Sequence, residues 1–188
     1  MFHAWEGYLY NAAHVIQQPQ EEIKINSRVY NYIETKDLTN RWTRAYFDEL
    51  LPPMDYPTYI EHIQKNSIAY EPVTAHTYGR TAPDLAAVGI PTVGSNRVYS
   101  MQKCFPYTSV DPYDIKATKL IIKKLLTDNE FKEKVITTAK KNCEYFNYKN
   151  SKKRFLTAID MVKNNEHHLK DSYWMWEKDK FVPAKVLK

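Results

Sequence analysis

From Tyr56 to Ser95 the chain switches repeatedly between helical and extended hydrophobic patterns, and that alternation limits the folds open to it. YPTYIEHIQKN (56–66) reads as a short helix with Pro57 in its first turn, where the missing N–H costs nothing. SIAYEP (67–72) reads as a short apolar strand, TAPDLAAVG (81–89) as a compact helix, and IPTVGS (90–95) as a buried strand. Alternating β and α segments of this length imply a parallel sheet covered by helices, so the expected class is α/β.

The glycines sharpen this reading. Three of the chain's 4 glycines, Gly79, Gly89 and Gly94, fall inside the same segment, and the fourth is Gly7. TAPD fits a capping box, with Thr81 as N-cap, Pro83 in the first turn and Asp84 three residues after the cap. Gly89 stands where a left-handed helix stop belongs, and Pro91 blocks continuation. Gly94 falls at a strand end, where a side chain would obstruct a ligand. Ligands of open parallel sheets bind beyond the carboxyl ends of the strands, and a helix N-terminus there favours phosphate. Gly79 permits close approach of a ligand to the backbone, and Arg80 offers a bidentate guanidinium. Asp84 is able to accept two hydrogen bonds from a ribose diol. Each residue also has a plainer role: Gly79 as a tight turn, Asp84 as a cap, His76 as a surface loop residue.

Elsewhere the patterns are coarser. Residues 1–16 read as a helix with Trp5, Leu9, Ala12, Ala13 and Ile16 near one face, stopped by Pro19. EEIKINSRVYNYIE (21–34) reads as one or two strands, and DLTNRWTRAYFDELL (37–51) as a helix ended by Pro52-Pro53. After the polar stretch SVDPYD, three helices are expected at 114–128, 130–148 and 151–165, the last with Ser151 as N-cap. Trp174 and Trp176 in the tail are expected to be buried against the body or a partner. The expected organisation is an N-terminal portion (1–55), a core with closing helices (56–165) and an aromatic C-terminal tail (166–188).

Composition excludes several classes. No apolar run approaches a membrane span, and the N-terminus lacks a basic segment followed by an apolar core, so neither a span nor a signal peptide is expected. The 2 cysteines, Cys104 and Cys143, show no metal-like spacing and suggest a reduced, cytoplasmic setting. The net charge of +5 invites a nucleic-acid reading, but the late lysines are interspersed with acids as on the wet faces of amphipathic helices. No groove-reading motif accompanies them, and a nucleic-acid partner is not expected.

GRTAPDLAAVGIPTVGS resembles the donor-site signature of GT-B glycosyltransferases, in particular those with a group 1 domain. Gly79, Asp84, Ala86, Ala87, Gly89, Pro91 and Val93 fall in its register. VDPYDIKATKLIIKKLLTDNEFKEKVITTAKKNCEYF resembles the closing segment of the same family, and the resemblance covers about residues 56–165. It implies a Rossmann-like fold, the nucleotide-sugar-binding half of a GT-B enzyme. Asp84 would hold the nucleotide ribose, and Thr77, Tyr78, Gly79 and Arg80 would line the diphosphate and the sugar. His76 would take the catalytic position, where the family carries a glutamate eight residues before its second acid. The family's basic pair for the diphosphate has no recognisable counterpart among Arg28, Arg41 and Arg44. The donor is a substrate and no cofactor or metal is required. The resemblance further implies that the acceptor-binding domain is absent and would come from a partner, or that the chain is a fragment. The competing expectation is a non-catalytic interaction protein derived from a glycosyltransferase. In that reading Trp174, Trp176 and Phe181 mark a partner or homo-oligomer surface.

Overall fold

The computed structural model describes residues 28–30, 49–51, 54–164, 174–177 and 180–183. Two compact units divide the chain, Met1–Cys143 and Glu144–Lys188.

The first unit contains a parallel pair, β1 (Arg28–Tyr30) and β2 (Glu49–Leu51), with Val29 opposite Leu50. The helix expected over 37–51 therefore gives way to a strand at its end, because pairing with β1 outweighs the local pattern. Residues 37–48 and the expected helix at 1–16 lie outside the described residues. The main sheet follows. Its elements in chain order are α1 (Tyr56–Ile63), β3 (Ala69–Glu71), α2 (Thr81–Val88), β4 (Thr92–Ser95), α3 (Tyr99–Cys104), β5 (Ser109–Val110), α4 (Ile115–Thr127) and α5 (Asn129–Cys143). Its three strands run parallel in the order β3-β4-β5, with Glu71 opposite Gly94 and Gly94 opposite Ser109. A parallel sheet flanked by helices is the α/β class that the alternation predicts.

The local chemistry explains the joints. Asp55 caps α1 by accepting the Thr58 N–H at 2.9 Å, and Pro57 occupies the first turn. At the end of α2, Gly89 adopts φ 79° and the Ile90 N–H closes onto Leu85 O at 2.8 Å. Asp114 caps α4 through the Ala117 N–H at 2.9 Å.

Central strand β4 is buried at all four residues, so its polar side chains need internal partners. Thr92 Oγ1 donates to Ile90 O at 3.0 Å, the Thr108 hydroxyl donates to Thr92 O, and Ser95 Oγ accepts the Arg97 N–H. Ala82, Leu85 and Ala86 form the buried face of α2, which packs against α3 and α5. Met101, Phe105, Ile122, Leu125 and Val135 complete the core. Each large apolar side chain of this kind contributes about 1.5–3 kcal/mol on burial.

Three expectations need correction. Arg80, not Thr81, is the N-cap of α2, and no side chain caps that terminus. The helix expected over 130–148 ends at Cys143. At Gly94 a side chain would obstruct the core: a Cβ there would meet the Met101 side chain at 2.8–3.0 Å.

The second unit holds a 3-10 turn (Glu144–Phe146), α6 (Tyr148–Lys163) and an antiparallel pair, β6 (Trp174–Glu177) and β7 (Lys180–Pro183). Asn147 rather than Ser151 caps α6, its Oδ1 accepting the Asn150 N–H at 2.8 Å. Arg154 stacks 3.8 Å from the Tyr145 ring centroid and donates to Tyr145 O. The expected burial of Trp174 and Trp176 lies outside the described side chains.

Candidate functional site

Parallel strands place all their carboxyl ends at one edge. The connections after β3 (72–80), β4 (96–98) and β5 (111–114) therefore gather there. They are knitted together by main-chain bonds. The Thr77 N–H donates to Arg97 O at 3.2 Å, and the N–H groups of Tyr99 and Ser100 donate to Thr77 O and Tyr78 O at 2.9 Å each. Thr77 and Val98 form a parallel bridge, and the Asn96 N–H reaches Val110 O at 2.7 Å.

The resemblance pointed to His76, Thr77, Tyr78, Gly79, Arg80 and Asp84. The first five share the loop before α2, and Asp84 stands in the first turn of that helix. His76 is exposed, and its side chain makes no hydrogen bond to a described residue. Tyr78 is exposed and stacks on Tyr99 at 5.7 Å between ring centroids. Gly79 has φ 75°, and a Cβ there would come within 2.3 Å of Val98 Cγ1 and 2.6 Å of Ser100 Oγ. No residue but glycine fits both the backbone angle and the space.

Arg80 is exposed beside Asp84. The Asp84 carboxylate does not cap its helix; its Oδ1 accepts a hydrogen bond from the exposed Tyr56 hydroxyl at 3.0 Å. Desolvation raises the Asp84 pKa, opposed by the Tyr56 bond and the Arg80 charge. The same bond raises the pKa of the Tyr56 hydroxyl.

Three residues at this edge escaped the sequence reading. Tyr56 supplies the Asp84 partner across 28 residues of chain. Arg97 is half-buried, donates from Nη1 to Thr74 O at 3.1 Å, and lies 5.0 Å over the Tyr113 ring. Glu71 ends β3, and its carboxyl is enclosed although the residue as a whole is only half-buried. Burial pushes that carboxyl up to about 7, opposed by the neighbouring Thr81 side chain. The one sequence signal for it was an acid closing a predicted strand, just before Pro72.

Chemically the edge offers an acid (Asp84), a neighbouring guanidinium (Arg80), the side-chain-uncapped start of α2 and exposed aromatic rings. Among the described residues no group of three or more His, Cys, Asp or Glu side chains is placed to hold a metal ion. Neither Cys104 nor Cys143 forms a disulfide, and burial pushes Cys104 up to about 12, which leaves it inert. No described helix is long and apolar enough to cross a membrane.

No family model matches the chain, and no curated protein matches it. Among solved structures it resembles trehalose-6-phosphate synthase OtsA, a GT-B glycosyltransferase, with a TM-score of 0.52 and 14% identity. The match covers 72% of this chain and 37% of that one, so the chain spans well under half the length of its structural neighbour. At that identity the likeness is one of fold: the chain has a GT-B-like, Rossmann-like α/β core.

Proposed function

We propose that this chain binds a nucleotide-sugar at the 79–84 turn and takes part in transferring the sugar to an acceptor hydroxyl. The observation that carries the reading is Asp84. It lies in the first turn of α2 at the carboxyl edge of the sheet, is not spent on capping, and has Arg80 and Gly79 just before it. Its carboxylate accepts from the two ribose hydroxyls. The α2 amides and Arg80 offset the charge of the diphosphate, which leaves with the nucleoside as the new C–O bond forms at the anomeric carbon. Thr77 and Tyr78 line the sugar, and His76 faces the reacting bond, able to donate or accept at an acceptor hydroxyl. Positioning and charge neutralisation suffice for this chemistry, so no metal is called for. The acceptor site comes from a second domain or a partner.

Calorimetric titration with UDP, GDP, ADP and their sugar conjugates tests the reading. At least one binds the wild type more tightly than millimolar, and Asp84→Ala and Arg80→Ala each weaken it by roughly tenfold or more, the loss of a charged hydrogen bond. Absence of binding, or unchanged affinity in both variants, refutes it. One observation favours a non-catalytic alternative: position 76 carries an exposed histidine rather than an acid. Nucleotide binding without turnover, in the presence of any acceptor domain, would select that alternative.

A further inference from the structure

Three side-chain oxygens are enclosed and have no hydrogen-bond partner among the described residues: Glu71 Oε2, Ser100 Oγ and Ser109 Oγ. The first two border the 79–81 turn. The Glu71 carboxyl neighbours the Thr81 side chain, and Ser100 Oγ lies where a Cβ on Gly79 would approach to 2.6 Å. An enclosed, unmade hydrogen bond costs about 1–3 kcal/mol, and more for a charged acceptor. Two such atoms lie just beneath one turn, at the edge where parallel sheets bind ligands.

The chemistry of the acid narrows the ligand group. Above about pH 7, where the carboxyl is ionised, Oε2 is an acceptor only. A phosphate offers only further acceptors and negative charge, whereas a sugar hydroxyl offers the missing donor.

We propose that Glu71 recognises the glycosyl group of the donor, with Oε2 accepting a hydrogen bond from one sugar hydroxyl while the diphosphate is held at residues 80–84. The assignment rests on the nucleotide-sugar reading above. Oε2 is closed to solvent, so the sugar reaches it through a local movement of the covering atoms.

The test, run at about pH 8 so that Glu71 is ionised, compares the affinities of UDP, GDP and ADP with those of their glucose, galactose, mannose and N-acetylglucosamine conjugates, for wild type, Glu71→Gln and Glu71→Asp. In the wild type one conjugate binds more tightly than its parent diphosphate. In Glu71→Gln that advantage falls by about tenfold, the worth of one hydrogen bond to a charged group, while diphosphate affinity stays within about twofold. Glu71→Asp keeps the charge but withdraws it, and loses part of the advantage. Deoxy analogues of the preferred conjugate give a wild-type measurement independent of variant folding: removal of one particular hydroxyl weakens binding by about tenfold. An unchanged sugar advantage in Glu71→Gln, a conjugate no tighter than its diphosphate, or a deoxy series without a sensitive position each overturn the assignment to Glu71. Failure of every nucleotide to bind overturns the underlying nucleotide-sugar reading instead.

Discussion

Replacing Glu71 with glutamine should flatten one part of the dependence of stability on pH. In the folded chain burial raises the carboxyl from its ordinary 4.5 to about 7. The fold therefore holds this proton over a range where the unfolded chain has released it. Stability from this group is complete below about pH 4.5 and is lost as pH rises through about 7. At 1.36 kcal/mol per pH unit the whole loss is about 3 kcal/mol, of which roughly 2.5 kcal/mol falls between about pH 5 and pH 8. Glutamine is nearly the same size, keeps an oxygen for Thr81 and does not titrate. Its amide nitrogen adds a fixed cost at Oε2, where no acceptor stands, and that cost is independent of pH. Urea denaturation of both proteins at constant ionic strength, followed by far-UV circular dichroism at several pH values, isolates the effect. The stability difference should move by about 2.5 kcal/mol in favour of Glu71→Gln between acid and alkaline ends. Curves that stay parallel within about 0.5 kcal/mol would show that the carboxyl is solvated or paired, and the argument from its burial would fail.

Two further outcomes concern the scaffold. Gly79→Ala should destabilise by about 2–3 kcal/mol or more, because it forces both a positive φ and a contact with Val98, whereas Gly94→Ala should cost about 1 kcal/mol or less, because the flexible end of Met101 can move; thermal unfolding of the two variants checks the contrast. Asn147→Ala should remove the cap of α6 at a cost of about 1 kcal/mol to that helix, read as earlier melting of helical dichroism, and an unchanged melt would contradict the capping geometry.

The alternation of strand and helix from 56 to 95 was legible because its punctuation is local. Gly89 and Pro91 act within a turn of where they stand, and the left-handed stop at Gly89 is as expected. What the sequence concealed depended on distant partners. Thr81 has the residue type of a cap, yet its side chain neighbours Glu71, ten residues earlier, and Arg80 takes the cap position. Residues 49–51 follow a helical pattern but are drawn into a strand by residues 28–30. The short elements α3 and β5 are too brief to display a period. Of the candidate site, the 76–84 stretch was visible through spacing, while Tyr56, Glu71 and Arg97 enter only through tertiary contacts that no local pattern encodes.

The loop before α2 is fastened by Thr77 N, Thr77 O and Tyr78 O, which are atoms every residue type but proline possesses. Its path across the sheet edge therefore depends little on the side chains at 76 and 77, while Tyr78 adds a stack on Tyr99. Mutation can redraw what this loop touches while the rail that carries it stays fixed. On the nucleotide-sugar reading proposed above, that freedom separates ligand choice from the maintenance of the fold and makes positions 76–78 the natural place to begin redesign.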